Sequence, residues 1–126
     1  MDVLNDIFGV HEKAMMLRQR RLALLGQNIA NADTPNYKSK DIDFKKIMAK
    51  ETDFSVKLSQ PGHMNGTNSR NPTLIYRTPS NPAADGNTVE LNYEQAQFGK
   101  ESARYTATLQ FLENRIGGIR RALRGE

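Results

Sequence analysis

The sequence has no cysteine and no tryptophan, and aromatic side chains make up only 7% of its 126 residues. Without cysteine the chain can form no disulfide and can offer no thiolate to a metal ion or a substrate. No apolar run approaches the roughly 20 residues that span a bilayer, so we expect no direct membrane insertion. The first six residues are partly acidic and no cleavable apolar segment follows them, so we expect no secretory signal peptide.

The charges are not concentrated in any part of the chain. Lysine and arginine total 18 against 14 acidic residues, a formal net charge of +4, and both signs are interspersed along the sequence. A nucleic-acid binder usually gathers its basic residues into a patch or stripe. A basic coiled-coil nucleic-acid-binding protein is therefore an alternative that the charge distribution does not favour, and we expect no nucleic-acid partner.

The first 30 residues predict a helix with two adjacent apolar stripes. Residues recur at alternating steps of four and three, the heptad spacing of helices that pack side by side. A helix with one partner needs only a narrow stripe, so this helix is expected to contact several neighbours. Each stripe is interrupted once by arginine. The first consists of Leu4, Phe8, His11, Met15, Arg18, Leu22, Leu25 and Ile29, and the second of Val3, Ile7, Val10, Ala14, Leu17, Arg21 and Leu24.

The end of this helix is predicted within residues 28–33. Pro35 disfavours helical geometry at Thr34, and the asparagine and aspartate side chains around it suit turns. The sequence therefore predicts a sharp turn of the backbone before Tyr37.

The C-terminal segment keeps the heptad rhythm from Leu91 to Leu123 without a slip. Asn92 is the expected N-cap, with Gln95 as its capping-box partner. A helix of this length measures roughly 45–50 Å at 1.5 Å per residue. Two such helices predict a mainly α fold in which the N- and C-terminal helices pack as an antiparallel, coiled-coil-like pair.

The middle of the chain is polar and rich in turn residues. Phe54–Leu58 and Thr73–Arg77 are short strand candidates with partial alternation, and Asp85-Gly86-Asn87 is a tight-turn signal. We therefore expect a terminal-helix assembly domain made of residues 1–32 and 88–126. Residues 33–87 are expected to form an irregular middle segment with short strands.

Catalysis or metal binding needs several convergent polar side chains, and the sequence offers no such set. His11 lies in a helical stripe and His63 in a loop, so neither has the partners that a triad or a metal site requires. Asp41 and Asp43 are close in sequence but follow a turn among lysines, so we expect both to stay solvated. No glycine-rich phosphate loop precedes a helix. We therefore predict a non-enzyme with no catalytic, cofactor-binding or metal-binding residues, and a small hydrolase is the disfavoured alternative.

Three stretches of the chain resemble the flagellar rod and hook protein family. The first carries the motif residues Asn28, Ile29, Ala30, Asn31, Asp33, Thr34, Pro35 and Tyr37, followed by Asp41-Ile42-Asp43-Phe44. The second is Tyr76-Arg77 with Pro79 and Pro82, then Asp85-Gly86-Asn87-Thr88-Val89, and the third is the C-terminal helix with Phe98 and Tyr105. The Asp-Thr-Pro turn is most similar to that of the proximal rod members. The resemblance is weakest over residues 45–72, and Lys100-Glu101 and Gly117-Gly118 depart from the family pattern.

The resemblance implies a structural subunit of the bacterial flagellar basal body. Such a protein polymerises as the proximal rod between the export gate and MS-ring region and the distal rod, transmits torque and is required for motility. Another rod-type axial protein of the same family is the alternative. The resemblance also implies a periplasmic rod location, reached through the flagellar type III export apparatus without a cleaved signal peptide. The implied partners are other copies of the chain, adjacent rod proteins, the export gate and the basal-body adaptor protein.

One helical hairpin cannot bury two full apolar stripes, so other subunits are expected to complete the surface by self-assembly. The residues predicted to form this assembly seam are Leu4, Phe8, Met15, Leu22, Leu25, Ile29, Phe98, Tyr105, Leu109, Leu112, Ile116, Ile119 and Leu123.

Overall fold

Two long helices dominate the computed structural model, which describes residues 2–52 and 74–125 and the side chains of residues 8–49 and 74–125. The predicted mainly α fold is confirmed. In chain order the elements are α1 (Asp2–Ala30), β1 (Lys40–Ile42), α2 (Phe44–Thr52), β2 (Leu74–Tyr76) and α3 (Leu91–Arg124).

The helices α1 and α3 pack side by side and antiparallel, as predicted. Near the end of α1, the side chain of Asn28 bonds to Glu94 at the start of α3. Towards the beginning of α1, the ring of His11 lies 5.1 Å from the ring of Phe111, between centroids. The residue number in α3 rises as that in α1 falls, which fixes the antiparallel orientation.

The ends of the long helices agree only in part with those predicted from the capping and turn residues. Helix α1 ends at Ala30, inside the predicted window. Helix α3 begins at Leu91, and Glu90 occupies the N-cap position in an extended conformation without a side-chain cap. The predicted capping role of Asn92 is therefore wrong, because the first helical bond already runs from the Glu94 amide to the Glu90 carbonyl, which places Asn92 inside the helix.

Helix α2 was not predicted from the sequence. It begins at Phe44, and the amide of Lys46 donates to the carboxylate of Asp43 at 3.0 Å. This is the bond that an N-cap aspartate makes. Asp43 therefore has a local structural role and remains exposed.

The strands β1 and β2 form a small antiparallel sheet in which Asp41 pairs with Ile75. The strand predicted at residues 73–77 is confirmed as Leu74–Tyr76. The other strand candidate, Phe54–Leu58, and the loop that contains His63 lie outside the described residues.

Two loops meet at the end of α1. Gly86 adopts a left-handed conformation with φ of 75°, which confirms the turn predicted there. Asn36 is also left-handed, with φ of 59°, and its amide donates to the Asp85 carbonyl at 3.0 Å. These contacts hold the loop that follows α1 against the loop that precedes α3.

Candidate assembly site

The least exposed face of α3 combines two heptad rows, one with Glu94 and Glu101 and the other with Tyr105, Leu112 and Ile119. Glu94 and Glu101 are each only 1% exposed, and the half-buried positions continue through Tyr105, Leu112 and Ile119. The predicted seam contains the second of these rows but not the first. The other predicted positions lie beside that row, so α1 covers only part of the apolar surface of α3.

The predicted seam residues of α3 therefore divide between two environments. Tyr105, Leu109, Leu112 and Ile119 are half-buried. Phe98, Ile116 and Leu123 are exposed, to 39%, 42% and 83% respectively. Within the subunit, the predicted seam is thus only partly covered.

The second stripe of α1 supplies much of its buried face. Ala14 and Leu17 from that stripe are buried, together with Leu25 from the first stripe. The backbone of Leu4 lies in α1, but its side chain is outside the described set. The remaining first-stripe residues predicted for the seam are half-buried: Phe8, Met15, Leu22 and Ile29.

A chain of alternating ion pairs crosses the space between the helices and the small sheet. At one end, Nη1 of Arg18 donates to Oε1 of Glu101 at 2.8 Å. The other oxygen of Glu101 accepts from Nη1 of Arg21 at 2.8 Å. The guanidinium of Arg18 also lies over the ring of Phe44, 4.2 Å from its centroid, so this end of the chain contacts α2.

The ion-pair chain continues from Arg21 of α1 through the sheet to the start of α3. Arg21 holds Asp41 with two bonds, from Nε to Oδ1 at 2.9 Å and from Nη2 to Oδ2 at 3.1 Å. Oδ2 of Asp41 also accepts from Nη2 of Arg77 at 2.7 Å. Nη1 of Arg77 then donates to Oε1 of Glu94 at 2.6 Å. Planar guanidinium groups suit such forked contacts.

These ion pairs differ from the sequence predictions in two ways. Charged groups lie in the helix interface, where apolar packing was predicted, and Asp41 is buried, where solvent exposure was predicted. The expectation that Asp41 stays solvated is wrong, because its side chain is buried between Arg21 and Arg77. The two arginines that interrupt the stripes of α1, Arg18 and Arg21, are the partners of the buried Glu101. The interruptions are therefore part of the helix interface.

The pKa values of two carboxylates move in opposite directions. Burial raises the pKa of Asp41, but hydrogen bonds from Arg21 and the Ile42 amide and the charges of Arg77 and Arg21 outweigh it, so its pKa lies below the ordinary value. Burial also raises the pKa of Glu94, and there the contacts from Asn28 and Arg77 do not outweigh it. The hydrogen bond to Asp41 raises the pKa of Arg21 more than burial lowers it. Asp41 is therefore the more firmly ionised of the two carboxylates.

The motif at the end of α1 is held by the fully buried Asn28 and by Asn87 from the opposite loop. Oδ1 of Asn28 accepts from the hydroxyl of Tyr37 at 3.4 Å, and its Nδ2 donates to Oε2 of Glu94 at 3.1 Å. Nδ2 of Asn87 lies 2.8–3.0 Å from three carbonyl oxygens in the turn after α1. The other motif residues are half-buried or exposed: Ile29, Ala30, Asn31, Asp33, Thr34 and Pro35.

The described part of the chain holds no cluster of metal ligands and no membrane-spanning helix. Across residues 2–52 and 74–125, no three acidic or histidine side chains are arranged to hold a metal ion. His11 packs against Phe111. None of the described helices combines the length and apolar character needed to cross a membrane.

Sequence reasoning missed the ion-pair chain because its members are far apart in the sequence. Glu101 bonds to Arg18 across 83 positions and Arg77 to Asp41 across 36. The one available signal was the arginine at a heptad position in each stripe of α1, since a charged group on an apolar face requires a partner when it is buried.

Comparison with known proteins decides what kind of subunit this is. Residues 8–38, which include the Asn28–Tyr37 motif, match the family described as flagella basal body rod protein. The whole chain is also similar to the flagellar basal body rod protein FlgB of Cereibacter sphaeroides, with 41% identity over 129 aligned residues that cover 100% of both chains. The chain belongs to the FlgB family.

Other FlgB proteins are similar over almost the same extent. The Salmonella typhimurium strain LT2 protein is 34% identical and covers 99% of this chain and 98% of its own length. The Escherichia coli K12 protein is 35% identical, covering 98% of this chain and 96% of its own length. Membership of the FlgB family makes the chain a structural subunit of the flagellar basal body rod.

Proposed function

We propose that this FlgB-family subunit polymerises as the proximal segment of the rod through its two terminal helices. Residues 1–32 and 88–126 would form the wall of the inner tube, and residues 33–87 would lie outside it and contact neighbouring subunits. The observation that carries the proposal is the apolar surface that the helix pair leaves exposed.

The exposed side of α3 supports an interface with another subunit. Leu109, Ile116 and Leu123 recur every seven residues and therefore share one face of the helix. Ile116 and Leu123 remain substantially exposed although each belongs to an unbroken heptad repeat. Burying one such side chain stabilises an interface by about 1.5–3 kcal/mol.

Helix α1 contributes a second incompletely covered face. Phe8, Met15 and Leu22 are half-buried, and the adjacent Met16 is 63% exposed. Methionine adapts well to irregular apolar contacts. A subunit with exposed apolar surface on both helices can contact more than one neighbour, as a tube wall requires.

We further propose that the subunit is exported by the flagellar type III apparatus and assembles with other copies, adjacent rod proteins, the export gate and the basal-body adaptor protein. In that position it would transmit torque and be required for motility. The support is membership of the rod family together with the long antiparallel helix pair. At 1.5 Å per residue, the 29 residues of α1 and the 34 residues of α3 span about 44 and about 51 Å, long enough to form a continuous wall.

Aspartate substitutions test the proposal on the stripe of Leu109, Ile116 and Leu123, here called the exposed stripe, in which Leu109 is half-buried within the subunit and the other two are exposed. Leu109→Asp and Ile116→Asp should abolish swimming and leave no rod in purified basal bodies, because an unpaired carboxylate buried between subunits carries a desolvation cost of several kcal/mol. Lys100→Ala is the matched control, since position 100 is exposed on roughly the opposite side of α3. Measuring the amount of secreted subunit separates failed assembly from failed export. Normal swimming of both aspartate variants would contradict the proposal.

A further inference from the structure

We propose that Arg77 is a positioning residue for assembly, which fixes the two terminal helices relative to each other and joins the middle segment to them. This inference rests on the proposed function, because it concerns how the assembly surface of the helix pair is formed. Arg77 follows β2, outside both terminal helices, yet its guanidinium contacts Glu94 of α3 and also Asp41 of β1, which in turn is paired with Arg21 of α1.

Arg77 is held at both its backbone and its side chain. Its amide donates to the Ser39 carbonyl at 3.2 Å. Its Nε and Nη2 donate to Oδ2 of Asp41 at 3.2 and 2.7 Å, and its Nη1 donates to Oε1 of Glu94 at 2.6 Å. The guanidinium carbon also lies 4.9 Å from the centroid of the Tyr93 ring. One side chain therefore links β2, β1 and α3.

Removal of Arg77 would leave the buried charges unbalanced. The ion-pair chain contains the carboxylates of Asp41, Glu94 and Glu101 and the guanidinium groups of Arg18, Arg21 and Arg77. Arg21 contacts Asp41 and Glu101, and Arg18 contacts Glu101. Neither of these two arginines is therefore paired with Glu94.

Glu94 is the carboxylate that depends most on Arg77. Its remaining contact would be the amide of Asn28, while its side chain stays almost fully buried on the face of α3 that packs against α1. Arg104 lies 3.9 Å from Glu101, not at Glu94, and is half-exposed. A buried carboxylate without a counter-charge opposes closure of the helix pair.

The ion pairs also specify one register, which heptad packing alone does not. Glu94 and Glu101 are seven residues apart, and a shift of one heptad would keep most of the apolar contacts in place. Such a shift would displace both glutamates by about 10.5 Å along the helix. One glutamate would then take the place of the other, so one of the two carboxylate positions beside the arginines would be left empty and the other glutamate would lose its partner. Polar side chains within a heptad interface are known to select register in this way.

The test compares single and double variants of the full chain in cells. Arg77→Met should abolish swimming and rod assembly, because methionine keeps much of the side-chain length and removes the charge. Arg77→Met combined with Glu94→Gln should restore swimming in part, since the unpaired buried charge is then gone. Lys45→Met, at an exposed position on α2, is the control for loss of a cation in the middle segment and should swim normally.

The outcomes distinguish this inference from the proposed function. Normal swimming of Arg77→Met, or an equal defect in the single and double variants, would overturn the positioning role of Arg77. The aspartate variants of the exposed stripe test interfaces between subunits independently of Arg77. If Ile116→Asp assembles no rod while Arg77→Met swims normally, the proposed function stands and this inference alone fails.

Discussion

The side chain of Asn28 bonds to both backbone groups of Lys40. Its Nδ2 donates to the Lys40 carbonyl at 2.8 Å, and its Oδ1 accepts from the Lys40 amide at 3.0 Å. The asparagine amide thus replaces a neighbouring strand at the beginning of β1. Because Asn28 also donates to Glu94, one fully buried residue joins α1, β1 and α3.

Asn28→Asp should destabilise the subunit strongly. The aspartate keeps the shape of the side chain but loses the donor to Lys40 and Glu94, and it places a second carboxylate next to Glu94. An unsatisfied buried polar group costs about 1–3 kcal/mol, and more when it is charged. Denaturant unfolding of the full chain should show the loss, whereas Asn114→Asp at an exposed helix position should change stability little. Equal unfolding midpoints for the two variants would contradict the role of Asn28.

Two glycine substitutions should have opposite effects on stability. At Gly86 a Cβ would lie 2.5 Å from Oδ1 of Asn36, and φ is 75°, so Gly86→Ala should destabilise the turn by roughly 1–3 kcal/mol. At Gly99, inside α3, a Cβ would meet nothing within 4 Å in the described structure. Gly99→Ala should therefore increase helix stability by up to about 1 kcal/mol. Thermal unfolding followed by circular dichroism checks both, and a more stable Gly86→Ala variant would contradict the turn geometry.

The overall fold could be predicted because the long helices carry strong local signals. The four-three rhythm, Pro35 and the Asp85–Asn87 turn each act within a few residues. Helix α2 was missed because it is short and lies in a lysine-rich stretch, although Asp43 suits an N-cap and Phe44, Ile47 and Met48 recur at helical spacing. The start of α3 was placed too late because asparagine at position 92 resembled a cap.

The stability contributions of Asp41 and Glu94 should depend on pH in opposite ways. The folded-state pKa of Asp41 lies below its ordinary value, so its contribution is present above the ordinary pKa and is lost as the pH falls through the folded-state pKa. The folded-state pKa of Glu94 is raised. In the range around and just above the ordinary glutamate pKa, the folded state therefore binds the proton more readily, and lower pH favours folding.

Neutral variants separate these two contributions. Asp41→Asn should cost most stability at neutral pH and progressively less as the pH falls below the ordinary aspartate pKa and through the folded-state pKa of Asp41. Glu94→Gln should remove the gain in stability that Glu94 gives on mild acidification. Unfolding midpoints measured across this pH range check both expectations. Parallel pH curves for wild type and both variants would contradict the assigned pKa directions.

The candidate site was harder to predict than the fold because its polar members meet only in three dimensions. A heptad pattern identifies apolar positions but does not show that Glu94 and Glu101 are buried beside arginines of α1. The pattern also does not determine which of two adjacent apolar rows a single partner helix covers. Ile116 and Leu123 fit the repeat as well as Tyr105 and Leu112 do, and the differences in their exposure come from the position of α1.

Chemical labelling of single cysteines tests most directly whether neighbouring subunits cover the exposed stripe of α3. The chain has no cysteine of its own, so Ile116→Cys and the control Lys100→Cys each introduce one thiol. Both thiols should react with a maleimide in the dissociated subunit, because both positions are exposed. In purified basal bodies the thiol at position 116 should be protected, whereas the thiol at position 100 should still react. Equal labelling of the two positions in assembled rods would contradict burial of the stripe between subunits.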